Sequence, residues 1–466
     1  MSKLLILGGS DAGISAALRA RELDTTWEVT VVVEDAFPNY SICGLPFFLS
    51  GEVHDAHQLA HRTHAELSEA GISLLLNHQA EKIEPEAHEV VVRDEALHAQ
   101  RLPYDRLLVA TGARSRRPHI PGLDLPGVFL LHSMADSFAL QHYLSVHSPR
   151  SAVIVGGGYI GLEMADALTL RGIAVTLVEH GPSVLKTIDP SLGELVRAHL
   201  EQHGVVVKTG IRAQQITSSS EQLRVSGSLE FEVMTDLVLV AVGVEPRTEL
   251  AQAIGAELGV QGAIQVSRSM ETTLPDILAA GDCVETWHQL LRCPAYLPLG
   301  TTAHKQGRVA GETAVGRTAR FAGTLGTQVV KILDQVVART GLREDEAREA
   351  GFDPLTVAGA YFDHKVYYPS ARPVQMLLTG DSATGHLLGV QMVGAVQTAV
   401  AKRIDVAATA LFHAMTVEAL SDLDLSYTPP LGGPWDLLQM GAQAWSALAS
   451  GETRSSAATY DGISHT

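Results

Sequence analysis

SAVIVGGGYIGLEMADALTLRGIAVTLVE, residues 151–179, reads as strand, glycine turn, helix and strand. Ala152 to Val155 is an unbroken apolar run suited to a buried parallel strand, and Gly156, Gly158 and Gly161 complete G-x-G-x-x-G directly after it. The first glycine allows the tight turn, the second a close approach of backbone to a pyrophosphate, and the third close packing of helix on strand. Tyr159 and Ile160 lie inside that turn, where helix N–H groups face an anion. Glu179 follows Gly161 by 18 residues, the distance at which an acid accepts from both hydroxyls of an adenosine ribose. It would repel a 2'-phosphate, and His180-Gly181-Pro182 offers no arginine in compensation, so NADH is expected rather than NADPH. Glu163, in the first helical turn, carries a charge that complements the helix dipole.

A second unit of the same kind opens the chain. Lys3 to Leu7 is an apolar strand, Ile14 to Leu23 a helix, and Glu28 to Val33 a strand ending in Glu34, 21 residues after Gly13. Its turn is G-x-S-x-x-G: Gly8 and Gly13 keep the turn and packing roles while Ser10 stands in the middle position. Two strand-end turns, Thr111-Gly112 in LLVATGARSRRPHIPG and Gly243 in TDLVLVAVGVEPR, read as the closing segments of the first and second folds. ILAAGDCVE then returns to the first, with Asp282 placed to bond ribityl or ribose hydroxyls of a flavin. Two dinucleotide folds imply one tightly held cofactor, FAD, and one that exchanges, NADH.

Between the first fold and its closing strand lies NYSICGLPFF, residues 39–48, with Ser41 and Cys43. A thiol ahead of Gly44 and Pro46, at the start of a helix, faces unpaired N–H groups and the positive dipole end, a setting expected to favour thiolate. Cys283, inside the Asp282 motif, reads as packing, and Cys293 completes the set of three. Without C-x-x-C spacing, these cysteines exclude a disulfide framework and suit a reducing, cytoplasmic compartment.

With 466 residues, 46% hydrophobic and 18% charged, the chain fits an α/β protein of about three domains. Net charge −18 argues against nucleic acid and anionic membrane as partners, and neither a signal-peptide core nor an apolar run of spanning length is expected. The expected division is 1–118 with 246–320 for FAD, 119–245 for the nicotinamide nucleotide, 321–447 for a third α+β domain, and 448–466 as a loose Ser/Ala/Gly-rich tail. In the third domain VVKILDQVVART and LLGVQMVG read as strands, with helices at Thr398–Ala410 and Val417–Leu420. DHKVYYP and DLDLSYTPPLGGPWD gather tyrosine, proline and tryptophan in loops suited to an interface. His54, His57, His61 and His64, spaced three, four and three, would align on one helical face; a solvated face is the expectation, and no metal centre is anticipated.

Together GGSDAGISAALRARELD, SICGLPFF, GGGYIGLE, AAGDCVE, PLGTTAHKQGR and SYTPPLGGPWD resemble the pyridine nucleotide-disulfide oxidoreductases over nearly the whole chain. The likeness is to their single-cysteine branch, which contains coenzyme A-disulfide reductases, NADH oxidases and peroxidases, and persulfide reductases. The resemblance implies two Rossmann-like dinucleotide domains, a C-terminal dimerisation domain, and a homodimer in which the partner completes each site. It assigns Cys43 as the sulfur at the flavin, Gly8, Gly13, Glu34 and Asp282 to FAD, Gly156, Gly158, Gly161 and Glu179 to NADH, and Tyr159 and Glu163 to the nicotinamide side. It brings Tyr367 or Tyr368, and Tyr427, from the partner as proton donors to a leaving thiolate or peroxide oxygen.

In oxidase and peroxidase members a histidine usually stands in the first glycine turn, where this chain has Asp11. That substitution disfavours a stable sulfenic acid and favours a mixed disulfide or persulfide at Cys43. The implied activity is reduction of a low-molecular-weight disulfide such as coenzyme A disulfide, or of a persulfide or polysulfide. The alternatives are an NADH oxidase or peroxidase acting on oxygen species, and a redox-sensing flavoprotein without turnover. Arg19 and Arg21 on the first helix are candidates to meet coenzyme A phosphates.

Overall fold

The computed structural model, which describes residues 1–220 and 222–451, contains two five-stranded sheets in which every pair is parallel. The first runs Ile277–Ala279, Arg106–Val109, Lys3–Leu7, Glu28–Val32, Ile72–Leu75; the second runs Val206–Lys208, Ala174–Val178, Ser151–Val155, Leu237–Val240, Val128–Leu130. In each, the strand that enters the glycine turn has the acid-ending strand on one side and the closing strand on the other. That reversal opens a crevice at the carboxyl ends, where such sheets take their ligands.

Both faces of these sheets are covered, so central strands read as continuous apolar runs instead of alternating ones. Leu4 to Leu7 and Leu237 to Val240 are buried at every position. Between the edge strand and the closing strand of each sheet the chain inserts a three-stranded antiparallel meander, His78–Glu84 with Glu89–Asp94 and Ala99–Pro103 in one case, Ala213–Ser219 with Gln222–Gly227 and Glu232–Thr235 in the other. The chain passes between the two folds at a two-stranded crossing, Ala113–Ser115 against Val244–Pro246. All of this lies in one compact unit, Met1–Lys186 with Val196–Thr324.

The second unit joins Thr187–Leu195 to the chain from Leu325 onward. Its antiparallel sheet has the order Gln328–Ile332, Gln335–Gly341, Leu387–Ala395, Pro373–Asp381, Pro354–Phe362, with helices Val400–Phe412, Val417–Ser421 and Leu437–Ala449. The first helix starts later than the sequence pattern suggests, because Ala399 takes a left-handed φ of 53° after a short 3-10 turn. The last helix carries ordered chain past 447, and residues 452–466 of the expected tail lie outside the described residues. Among the described residues no helix is long and apolar enough to cross a membrane.

Candidate active site

The two glycine turns are built alike, and their contacts explain which positions are fixed. Gly8 and Gly156 have φ of 119° and 113°, and a Cβ on either would lie 2.0 or 2.3 Å from the carbonyl oxygen of Ala110 or Ala241. A Cβ on Gly13 or Gly161 would stand 1.9 Å from the carbonyl oxygen of Gly8 or Gly156, so only glycine lets the helix sit this close. The middle position differs. Gly158 has φ −82° and ψ −171°, and Ser10 takes nearly the same extended backbone at −97° and −156°. Any residue adopts that conformation, and a Cβ on Gly158 would meet nothing within 4 Å. What that position offers is open space beside N–H groups.

Glu179 is nine-tenths buried and anchored: its carboxylate accepts from the Gly157 N–H and the Gly181 N–H, both at 2.7 Å, with His180 Nδ1 at 2.9 Å. Glu34 is more open and meets Arg247 Nη1 at 2.6 Å, an arginine that follows the second fold's closing strand. Thr111 and Gly112 hold the same crossing, the hydroxyl donating to the Arg247 carbonyl at 2.6 Å and the Gly112 carbonyl accepting from the Arg247 N–H at 3.0 Å. Gly243 turns with φ 104°, and its carbonyl accepts from the Arg116 N–H at 2.9 Å.

The first fold keeps a buried polar group that a flavin would satisfy. Gln306 is buried, its Oε1 accepts from the Gly281 N–H at 3.0 Å, and its Nε2 is a buried donor with no partner. Burial, with the charge of Asp11 adding, pushes the Asp282 carboxyl up to about 7. Polyol hydroxyls of a flavin would give the Gln306 amide and the Asp282 carboxyl the partners that burial denies them. FAD would therefore be held by Gly8, Ser10, Gly13, Glu34, Asp282 and Gln306, and NADH by the turn from Gly156 to Gly161 with Glu179. FAD supplies the two-electron chemistry between nicotinamide and sulfur.

Cys43 sits in a 3-10 turn, Ile42–Gly44, which runs into the six-residue helix Leu45–Ser50. The segment is clamped to the first glycine turn. Asn39, at φ 61°, donates its N–H to the Gly9 carbonyl at 2.7 Å, the Ser41 N–H reaches the Leu59 carbonyl at 2.8 Å, and the His61 N–H reaches the Asn39 carbonyl at 2.9 Å. Leu45, Phe48 and Leu49 are buried beneath it. Cys43 and Cys293 are exposed, whereas Cys283 is buried against the Val109 and Ala280 carbonyls and only packs.

The expected thiolate does not arise from the chain's own charges. Crowding by the surrounding protein pushes the Cys43 thiol up to about 11, and the carboxylates of Glu163, Asp11 and Asp282 add to the effect. The short helix cannot offset them. Asn39 ties the segment to the first glycine turn and the helix Leu45–Ser50 packs on the helix Tyr159–Leu170, so both dinucleotide folds adjoin Cys43.

Asp11 has imidazole neighbours that its place in the sequence hides. The helix Gly300–Ala314 packs tightly on the helix Asp11–Leu23 because Gly307 and Gly311 face Ala12 and Ala16, where a Cβ would come within 2.2 and 2.4 Å of their carbonyl oxygens. One turn before Gly307, His304 puts Nε2 3.4 Å from Asp11 Oδ1 and Nδ1 2.8 Å from Ser15 Oγ. His61 lies beside it, ring centroids 6.1 Å apart. Burial raises the Asp11 carboxyl from its ordinary value, with His304 and then His61 opposing.

Two expectations need correction. His54, His57, His61 and His64 do not share a helical face: the segment breaks into a 3-10 turn Ala56–Leu59, a bridge from Ala60 to Tyr40, and a new helix His64–Glu69 capped by Thr63. Arg19 and Arg21 are committed elsewhere, Arg19 to Glu22 and Glu312 at 2.7 Å each, and Arg21 to the carbonyls of Ala70, Thr25 and Trp27. They brace the first helix and leave no guanidinium for a phosphate.

In the C-terminal unit, the two aromatic loops meet. Buried Arg403 donates to the Thr398 and Asp363 carbonyls and, at 2.9 Å, to the Asp436 carboxylate, tying one loop to the other. Partial loss of solvent, with Tyr367 beside it, holds the Tyr427 phenol above its ordinary value. Tyr368 instead stands edge-on to His364 at 5.8 Å. All three tyrosines are exposed on this unit, with Phe362, Leu431 and Trp435.

Two dinucleotide folds meeting at an accessible cysteine define a nicotinamide-dependent flavoprotein oxidoreductase. The pyridine nucleotide-disulphide oxidoreductase pattern matches residues 2–307 and that family's dimerisation domain matches 327–436, and the chain belongs to this family, which binds FAD and NAD(P)H. It is 35% identical over 444 residues to the NAD(P)H sulfur oxidoreductase (CoA-dependent) of Pyrococcus abyssi, covering 93% of this chain and 96% of that one. It is 30% identical to an NADH oxidase of Methanocaldococcus jannaschii, covering 95% and 98%. Among solved structures, the NAD-dependent persulfide reductase from A. fulgidus superposes with a TM-score of 0.92 at 34% identity, covering 96% of this chain and 84% of that one.

Proposed function

We propose that this enzyme passes electrons from NADH through FAD to Cys43, which reduces a low-molecular-weight disulfide such as coenzyme A disulfide, or a persulfide or polysulfide. The observation that carries the reading is the exposed thiol of Cys43 set between the two nucleotide folds: Asn39 ties its segment to the first glycine turn, and the helix Leu45–Ser50 packs on the helix Tyr159–Leu170 of the second. The sulfur and persulfide relatives support the substrate class. Cys43, once it has lost its proton, attacks one substrate sulfur, forming a Cys43–S–S–R bond and expelling one RS−, which takes up that proton. Two electrons then cleave that bond, restoring Cys43 and releasing the second thiolate. NADH, one proton and RSSR thus give NAD+ and two RSH.

The preference for NADH rests on Glu179, whose carboxylate is held by the Gly157 and Gly181 N–H groups and whose charge would oppose a 2'-phosphate. The C-terminal unit is proposed to pair two chains, and Tyr367 and Tyr427 from the partner subunit are proposed to give protons to departing thiolates. A reducing cytoplasm suits its three unpaired cysteines.

A second reading, reduction of oxygen or peroxide through a Cys43 sulfenic acid, is favoured by the NADH oxidase relative. An anaerobic assay with NADH and coenzyme A disulfide, polysulfide or peroxide, followed by an oxygen pulse, separates the two. Thiol release before the pulse supports disulfide reduction. NADH consumption confined to peroxide or to the pulse overturns it.

A further inference from the structure

We propose that Asp11, His61 and His304 form a binding site for one first-row divalent transition metal, Zn2+ or Co2+, at the start of the helix Asp11–Leu23. One ligand atom from each of the three lies within 4.8 Å of the others. The residues come from three separate elements: the first position of the helix Asp11–Leu23, the loop after the 3-10 turn Ala56–Leu59, and the helix Gly300–Ala314.

The geometry fits such an ion. Four ligands at about 2.1 Å from a tetrahedral centre stand about 3.4 Å from one another, and His304 Nε2 to Asp11 Oδ1 is already 3.4 Å. Ser15 Oγ engages the other ring nitrogen of His304 at 2.8 Å, which fixes the ring as an outer partner does for a metal-bound imidazole. A metal on Nε2 would place the ring proton on Nδ1, where Ser15 Oγ can accept it.

Two imidazoles and one carboxylate suit zinc, cobalt or nickel, and they argue against magnesium or calcium, which take oxygen sets. The side chains of Asp11 and His304 are 23% and 45% exposed, so one flank stays open for water or an anionic ligand. Ligation takes up the carboxylate that otherwise adds to the charge around Cys43. The site stands on these residues alone and is independent of which acceptor the enzyme reduces.

The test is titration of the FAD-loaded holoenzyme with Co2+ under argon, read by calorimetry and by the cobalt d–d absorption. One Co2+ per chain is expected, without a sulfur-to-metal charge-transfer band. His304→Ala and His61→Ala should each raise the Kd at least a hundredfold, and Ser15→Ala about tenfold or more. His54→Ala combined with His57→Ala and His64→Ala should change nothing, and Cys43→Ser should leave both stoichiometry and spectrum intact. The proposal is overturned if wild type takes up no Co2+ at millimolar concentration. It is also overturned if binding survives loss of both His61 and His304, or disappears with Cys43. Flavin absorbance and the unfolding temperature of each variant separate lost binding from lost fold.

Discussion

Replacing Gly158 by alanine asks whether the second glycine turn serves a nucleotide or only the fold. At φ −82° and ψ −171° alanine is unstrained, and its methyl would meet nothing within 4 Å. Gly→Ala at a compatible conformation stabilises by about 0.4–1 kcal/mol through the unfolded chain, so the unfolding temperature should hold or rise slightly. If a pyrophosphate rests against that backbone, the same methyl is forced into an occupied space, at a cost of about 1–3 kcal/mol. At 1.36 kcal/mol per decade, this corresponds to a rise of about 5- to 150-fold in the Kd for NADH. Stopped-flow reduction of the bound flavin at varied NADH gives that constant directly. Gly161→Ala is the contrasting control: its Cβ would lie 1.9 Å from the Gly156 carbonyl oxygen, so it should lower the unfolding temperature as well. An unchanged Kd in Gly158→Ala would refute the assignment of this turn to the nicotinamide nucleotide.

Glu179→Ala should lower the ratio of kcat/KM for NADH over NADPH by at least about tenfold, because it removes the charge that opposes a 2'-phosphate; steady-state kinetics with both nucleotides check it. In the protein freed of flavin, the Cys43 thiol, raised to about 11, should be alkylated slowly at pH 8 and faster by about tenfold per pH unit until it ionises. Glu163→Gln removes a negative charge, lowers that value, and should accelerate iodoacetamide labelling at pH 8 by about three- to tenfold; mass spectrometry of the Cys43 peptide follows it.

The glycine turns were legible in the sequence because their constraint is local: a strand, a turn and a helix fix Gly8, Gly13, Gly156 and Gly161 within a short stretch. The buried strands were legible as well, since unbroken apolar runs such as Leu237–Val240 admit few other readings, whereas their order in the sheet came only with the structure. The charge at Cys43 was not legible, because a helix start argues for thiolate whereas Glu163, Asp11 and Asp282 reach the sulfur from distant segments. Asp11, His61 and His304 likewise meet only after two helices close-pack through Gly307 and Gly311, a spacing that, once noticed, predicts the contact. The arginines of the first helix looked free for a ligand, yet Glu312 comes from far along the chain to pair with Arg19.

The central claim, that electrons leave through sulfur at Cys43, is tested most directly by anaerobic NADH titration of enzyme first treated with coenzyme A disulfide and freed of excess. Wild type should consume two equivalents of NADH per chain, the first releasing one coenzyme A thiol and the second bleaching the flavin, whereas Cys43→Ser should consume one and release none. Equal consumption by both proteins, with no thiol released, would contradict the account.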